Sequence, residues 1–181
     1  MSRRFRLDPN EGAYLHFITT TVIKFHKLFR YEKYCDILIT YLKFMLKKYS
    51  AEIIAYVIMP SHIHFIVFLP EGKSISSFMR DFKKFTSARI REQMEKDKNI
   101  KLLKTLKADS EIGRYKLWMD RFDDYLISSE KQLEIRINYI HNNPVKAGLV
   151  KEITDWKYSS ARNIYLEDNS AIQLGAGFYQ R

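Results

Sequence analysis

The chain of 181 residues holds a single cysteine, Cys35, which excludes an intrachain disulfide framework and a cysteine-based zinc site. No apolar run approaches the roughly 18 to 20 residues that a membrane-spanning helix needs. The opening stretch "MSRRFRLDPNEGAY" lacks the apolar core of a signal peptide, so a mature intracellular protein is expected. Internal repeats and low-complexity segments are also missing. Acidic residues are in short supply: 21 Asp and Glu face 31 Lys and Arg, a net charge of +10 with a pI near 9.6. That excess favours a polyanionic partner, nucleic acid first, over a surface kept basic only for solubility.

What remains is ordinary globular composition, 46% hydrophobic and 29% charged, enough for one compact domain over residues 1–181. Residues 145–181 are read as a C-terminal extension of it. "YLHFITTTVI", Tyr14 to Ile23, is rich in aromatic and β-branched residues and reads as a strand. Residues 32–49 place Ile37, Leu38, Tyr41, Leu42 and Met45 at helical spacing and end in lysines, as a helix C-terminus favours. Two apolar runs follow, Glu52 to Met59 and His62 to Leu69, joined by a short Pro-containing link; they predict a hairpin.

Residues 74–97 set Ile75, Phe78, Met79, Phe82, Phe85 and Ile90 on one side of a helix, with basic residues between. From Lys96 to Arg114 the chain is polar and unpatterned and reads as a mobile basic loop, with part of it open to being helical. Lys116 to Ile127 returns to an extended, aromatic pattern. Ser129 with Gln132 resembles a capping box, opening a helix that Pro144 is expected to end. The first six elements have the order of a split βαβ, ferredoxin-like α+β fold: an antiparallel four-stranded sheet with two helices on one face. A further helix then carries Tyr139.

"IMPSHIHFIVF" sets His62 and His64 one residue apart on the third strand. Side chains two apart share a face, so both imidazoles point the same way, while Ile63, Phe65, Val67 and Leu69 take the other. The apolar set suits packing under the two helices, which puts the histidines on the face those helices leave open. Two neutral imidazoles there are ligands for one divalent cation, or simply a polar, solvent-facing pair. His16, His26 and His141 read as structural or surface residues. On the last helix Leu133, Ile137 and Ile140 form a narrow apolar stripe with Tyr139 on its flank. Asn143 lies about 40° from Tyr139 on an ideal helix, so phenol and carboxamide can address one site, unless Pro144 pulls Asn143 off helical dihedrals. Packing for Tyr139 and C-capping for Asn143 are the plain alternatives.

"YVIMPSHIHFIVFLP", then "INYIHNNPVKAGLV" some 70 residues later, then "DWKYSSARN", closely resemble the single-tyrosine HUH transposases. More narrowly they resemble the IS200-like family and its REP-associated tyrosine transposase branch, from about Tyr14 to Asn163. By motif, the resemblance implies that His62 and His64 bind a divalent metal, Mg²⁺ or Mn²⁺. It likewise implies Tyr139 as nucleophile and Asn143 as a third metal ligand, where the IS200 branch more often has glutamine. The implied substrate is single-stranded or hairpin DNA, nicked and rejoined through a 5′-phosphotyrosine, by a monomer or a homodimer in the cytoplasm, associated with the nucleoid.

Arg80, Lys83, Lys84, Arg89 and Arg91 are the candidate phosphate contacts. They lie in a segment, residues 71–107, with 11 basic and 5 acidic residues. Asp120, Asp123 and Asp124 are left as surface or local hydrogen-bonding groups, since this chemistry needs no acidic cluster. Two other functions stay open at this point: a DNA-binding protein of the same fold that no longer transposes, and a metal-dependent hydrolase with no covalent step.

Overall fold

A computed structural model of the chain describes residues 14–109 and 113–175. The opening stretch "MSRRFRLDPNEGA" and residues 110–112 of the expected basic loop lie outside them. Four strands, β1 (Tyr14–Thr21), β2 (Glu52–Met59), β3 (His62–Leu69) and β4 (Asp123–Ile127), form one sheet in the order β2-β3-β1-β4, every neighbouring pair antiparallel. With α1 (Glu32–Tyr49) after β1 and α2 (Ile75–Lys96) after β3, this is the expected ferredoxin-like α+β fold.

Local chemistry sets the element ends. Ser50 closes α1 in the left-handed region, φ 52°, and its N–H reaches the carbonyls of Leu46 and Lys47. Ser74 caps α2 by accepting from the Ser77 N–H. Pro60 and Ser61 form the two-residue turn between β2 and β3, pairing Met59 with His62.

The two sheet faces bury different sets. Ile63, Phe65, Val67 and Leu69 of β3 pack with Leu38, Leu42 and Met45 of α1 and Phe78, Phe82 and Ile90 of α2. The opposite face, with Phe17, Val57 and Ile66, packs against Leu133, Ile137 and Ile140 of a fourth helix, α4 (Glu130–Lys146). Those three side chains are at most 4% exposed. Burying them contributes about 5 to 9 kcal/mol before conformational entropy is charged. α4 is therefore clamped across the face that the first two helices leave open.

Two expectations about local structure are corrected, and a third, the partly helical basic loop, is given its bounds. The basic loop contains a helix, α3 (Ile100–Ala108), capped by the Asn99 side chain accepting from the Leu102 N–H; its apolar side is short, so the surrounding lysines hid it. The extended stretch from Lys116 shrinks to β4, with one isolated bridge at Trp118, because Leu117 and Trp118 are drawn into the core under α2. There the Trp118 indole N–H donates to Thr86 Oγ1 at 3.0 Å.

Pro144 does not end α4. It sits buried in the last turn, and the helix continues to Lys146, with the Ala147 N–H bonded to the Asn143 carbonyl. This close to a C-terminus the ring removes one helical hydrogen bond, and packing of the helix offsets that loss.

Residues beyond α4 attach to the outer edge of β2. The Ile58 N–H donates to the Tyr158 carbonyl, the Ser160 N–H to Tyr56, and the Gly175 N–H to Ile53. Otherwise unpaired edge groups are thereby satisfied. The short helix α5 (Ala161–Tyr165) follows that contact. No helix among the described residues is long and apolar enough to cross a membrane.

Candidate active site on the sheet face under the fourth helix

β3 carries His62 and His64 onto the face covered by α4, in register with Thr21 and Thr19 of β1. Their rings meet edge to face, centroids 4.7 Å apart. His64 is 5% exposed, and burial, then the neighbouring His62, pull its imidazole pKa down to about 3; burial lowers that of His62 as well. Both rings are thus neutral at pH 7, the state in which imidazole is a ligand.

Each ring uses one nitrogen internally. His64 Nδ1 lies 2.8 Å from Thr19 Oγ1, and His62 Nδ1 lies 3.1 Å from Ser61 Oγ. In the tautomers that place the proton on Nδ1, each ring donates to its hydroxyl and keeps the Nε2 lone pair for an external partner.

α4 brings Tyr139 to the same place. Its ring stands edge-on to His64 at 5.3 Å and to Phe17 at 5.9 Å, while Phe17 stacks on His64 at 5.8 Å. The ring is 39% exposed, so it faces the site and the solvent together. Because α4 stays helical through Lys146, Asn143 keeps its place one turn after Tyr139, and its carboxamide makes no hydrogen bond among the described residues. No group of three or more His, Cys, Asp or Glu side chains is gathered among the described residues. The neutral donors these elements carry are the two imidazoles of β3 and, one turn after Tyr139 on α4, the Asn143 carboxamide.

The chain belongs to the IS200-like transposase family. The match to the family "Transposase IS200 like" spans residues 10–143. A REP-associated tyrosine transposase of Escherichia coli K12 is 34% identical over 121 residues, which are 63% of this chain and 59% of that protein. A candidate REP-associated tyrosine transposase of Haemophilus influenzae is also 34% identical, over 66% of this chain and 67% of that protein. The match thus takes in under two thirds of the length of the first relative and about two thirds of the second. In fold, the chain resembles a REP-associated tyrosine transposase solved with a REP hairpin, with a TM-score of 0.66 and 24% identity. All of this chain and 98% of that one are covered.

The five basic residues of α2 lie elsewhere. α2 packs on the sheet face opposite the histidines, so Arg80, Lys83, Lys84, Arg89 and Arg91 do not share a surface with Tyr139. Lys83 is committed to the fold: its ammonium donates to the carbonyls of Met119, Asp120 and Arg121 at 2.7, 3.0 and 3.1 Å, and burial lowers its pKa to about 8. Arg80 pairs with Asp81, Arg89 with Glu92 and the Tyr41 hydroxyl, and Arg91 with Glu95, all near the surface. Lys84 is exposed.

The remaining histidines are structural. His16 bonds Asp124, His26 bonds Asp109, and buried His141 bonds Ser160, tying α4 to the segment on the β2 edge. Asp120 pairs with Lys116. Sequence reasoning missed Thr19, Ser61 and Phe17, the residues that orient the imidazoles. Ser61 and the alternation of β1 were visible in the chain, but the register that sets Thr19 against His64 was not.

Proposed function

We propose that the chain nicks and rejoins single-stranded or hairpin DNA through a covalent 5′-phosphotyrosine at Tyr139. The observation that carries this reading is the Tyr139 ring lying against His64 within one chain, beside a second imidazole whose Nδ1 is also engaged by a hydroxyl. In this reading the nucleophile and both imidazoles come from one protomer.

The donor chemistry fits a divalent cation: His62 and His64 would hold it through Nε2, with the Asn143 carboxamide oxygen as third ligand. When bound, Mg²⁺ or Mn²⁺ supplies Lewis acidity at the phosphate and leaves room for its oxygens. Tyr139 attacks phosphorus through its phenolic oxygen. The bond from phosphorus to the 3′ oxygen breaks, the new Tyr–O–P bond forms, and the phenolic proton leaves as the departing 3′ oxygen becomes a hydroxyl. Attack by a 3′-hydroxyl on the phosphotyrosine reverses the sequence and needs no nucleotide triphosphate. Half-exposure of the phenol leaves it reachable by a strand lying across the face.

The basic balance of the chain and the hairpin carried by the structural relative support DNA as the partner. Arg80, Lys84, Arg89 and Arg91 serve, in this reading, as remote phosphate contacts that affect affinity and not the chemical step.

Incubation with a single-stranded hairpin oligonucleotide and Mg²⁺ or Mn²⁺ tests the proposal. A covalent protein–DNA adduct is expected, absent in Tyr139→Phe and absent with chelator. Cleavage surviving in Tyr139→Phe would establish hydrolysis without a covalent step, and binding without cleavage would leave a DNA-binding protein.

A further inference from the structure

Arg136 stands three residues before Tyr139 on α4. Its Cζ lies 4.4 Å from the centre of the Tyr125 ring and 4.9 Å from that of Phe17. Phe17 is the ring that also stacks on His64 and meets Tyr139 edge-on. One phenylalanine therefore touches the guanidinium, the proposed nucleophile and one imidazole.

The cation is held in place without using its donors. Among the described residues the Arg136 guanidinium makes no hydrogen bond and no ion pair, whereas Arg80, Arg89, Arg91 and Arg162 each face a carboxylate. Asp123, which β4 presents on the same sheet face as Tyr125, makes no ion pair with it. Aromatic faces attract a planar guanidinium through the ring quadrupole and leave its N–H edges free. A planar fork of donors, seated on two rings beside a nucleophile, matches the geometry of a phosphate.

We propose that Arg136 anchors the scissile phosphate, binding the non-bridging oxygens of the phosphodiester that Tyr139 attacks. The inference rests on Tyr139 as nucleophile and adds a residue for which the metal ligands do not account. As charge builds on those oxygens during attack, the fixed guanidinium stabilises it without having to reorganise. The competing role is structural, with the arginine stem merely covering Phe17 and Tyr125.

Two measurements on the full chain separate these roles. The first is binding of a hairpin oligonucleotide with a single-stranded flank, in the Tyr139→Phe background with Mn²⁺, from 50 to 200 mM salt. Arg136→Met keeps an apolar stem over both rings, and the slope of log affinity against log salt is expected to flatten by about 0.7, one phosphate contact on a single strand. The second is single-turnover adduct formation at saturating DNA with Tyr139 present. Arg136→Met is expected to slow it about a hundredfold.

Arg136→Lys should retain the slope and recover only part of the rate, and a neutral methylphosphonate at the mapped cleavage position should abolish the difference between arginine and methionine. An unchanged slope and rate in a folded Arg136→Met, with adduct still formed, overturns this proposal and leaves the nucleophile reading standing. A flattened slope in a protein that forms no adduct overturns the nucleophile reading and leaves the phosphate contact standing.

Discussion

Thr19→Val replaces a hydroxyl by a methyl of nearly the same size, 2.8 Å from His64 Nδ1. His64 is 5% exposed, so water does not readily take the place of the lost partner. A buried N–H left unsatisfied costs about 1 to 3 kcal/mol, and in a domain of this size each kcal/mol lowers Tm by about 2 to 4 °C. The larger consequence is tautomeric. Without Thr19 nothing favours the proton on Nδ1, and the ring gains by moving it to Nε2, where it can donate toward the open site and no longer offers a lone pair there. Loss of such an orienting bond typically weakens metal binding by 10- to 100-fold, or about 1.4 to 2.7 kcal/mol.

The assay is a Mn²⁺ titration of wild type and Thr19→Val, read by calorimetry and by adduct formation, with urea unfolding run alongside. Adduct formation should fall at low Mn²⁺ and return at excess, because the phenol and the phosphate anchor are untouched. An unchanged Mn²⁺ affinity in a variant that has lost stability would refute the reasoning. Thr19 would then be a packing residue, and the tautomer argument would fail with it.

Lys83→Met should destabilise the chain by about 1 to 3 kcal/mol, since three carbonyls lose a charged donor at a site that water partly reaches. Thermal unfolding checks this, and adduct formation at saturating DNA should be unchanged; a large loss of DNA affinity without loss of stability would instead make Lys83 a phosphate contact. Asp81 receives the Lys48 ammonium at 2.6 Å and the Tyr49 hydroxyl at 2.9 Å, joining α1 to α2, and these bonds lower its pKa to about 2. Its contribution to stability is complete above the ordinary aspartate value of about 3.9 and fades as pH falls through 2, because the unfolded chain takes up the proton first. Asp81→Asn should therefore flatten the acid limb of the stability profile between about pH 4 and pH 2, measured by urea unfolding at fixed pH. An unaltered limb would show that the ion pair has no net effect.

Periodicity predicted the four strands, the helices α1, α2 and α4, and the face of β3 that carries the two histidines, because a 2-residue or 3.6-residue repeat is written in the chain itself. The flank position of Tyr139 followed from the same arithmetic. The bounds of the helix in the basic loop, the burial of Trp118 and the survival of α4 through Pro144 did not follow. In each of these, long-range packing outweighs a local preference worth a few kcal/mol. Nor could charge counting tell on which side of the sheet a basic helix lies. It grouped Lys83 with exposed residues although its ammonium closes a turn 36 residues away.

By itself, then, the sequence determined which residues can do chemistry: two imidazoles two positions apart on a strand, and a phenol and a carboxamide four apart on a helix. Only the tertiary structure decided that the phenol meets the imidazoles. Packing α4 across the second face of the sheet sets Tyr139 against His64, and the pairing of β1 with β3 sets Thr19 against the same ring. Strand register and helix docking are properties of buried surfaces far apart in the chain, and no local pattern encodes the distance between them.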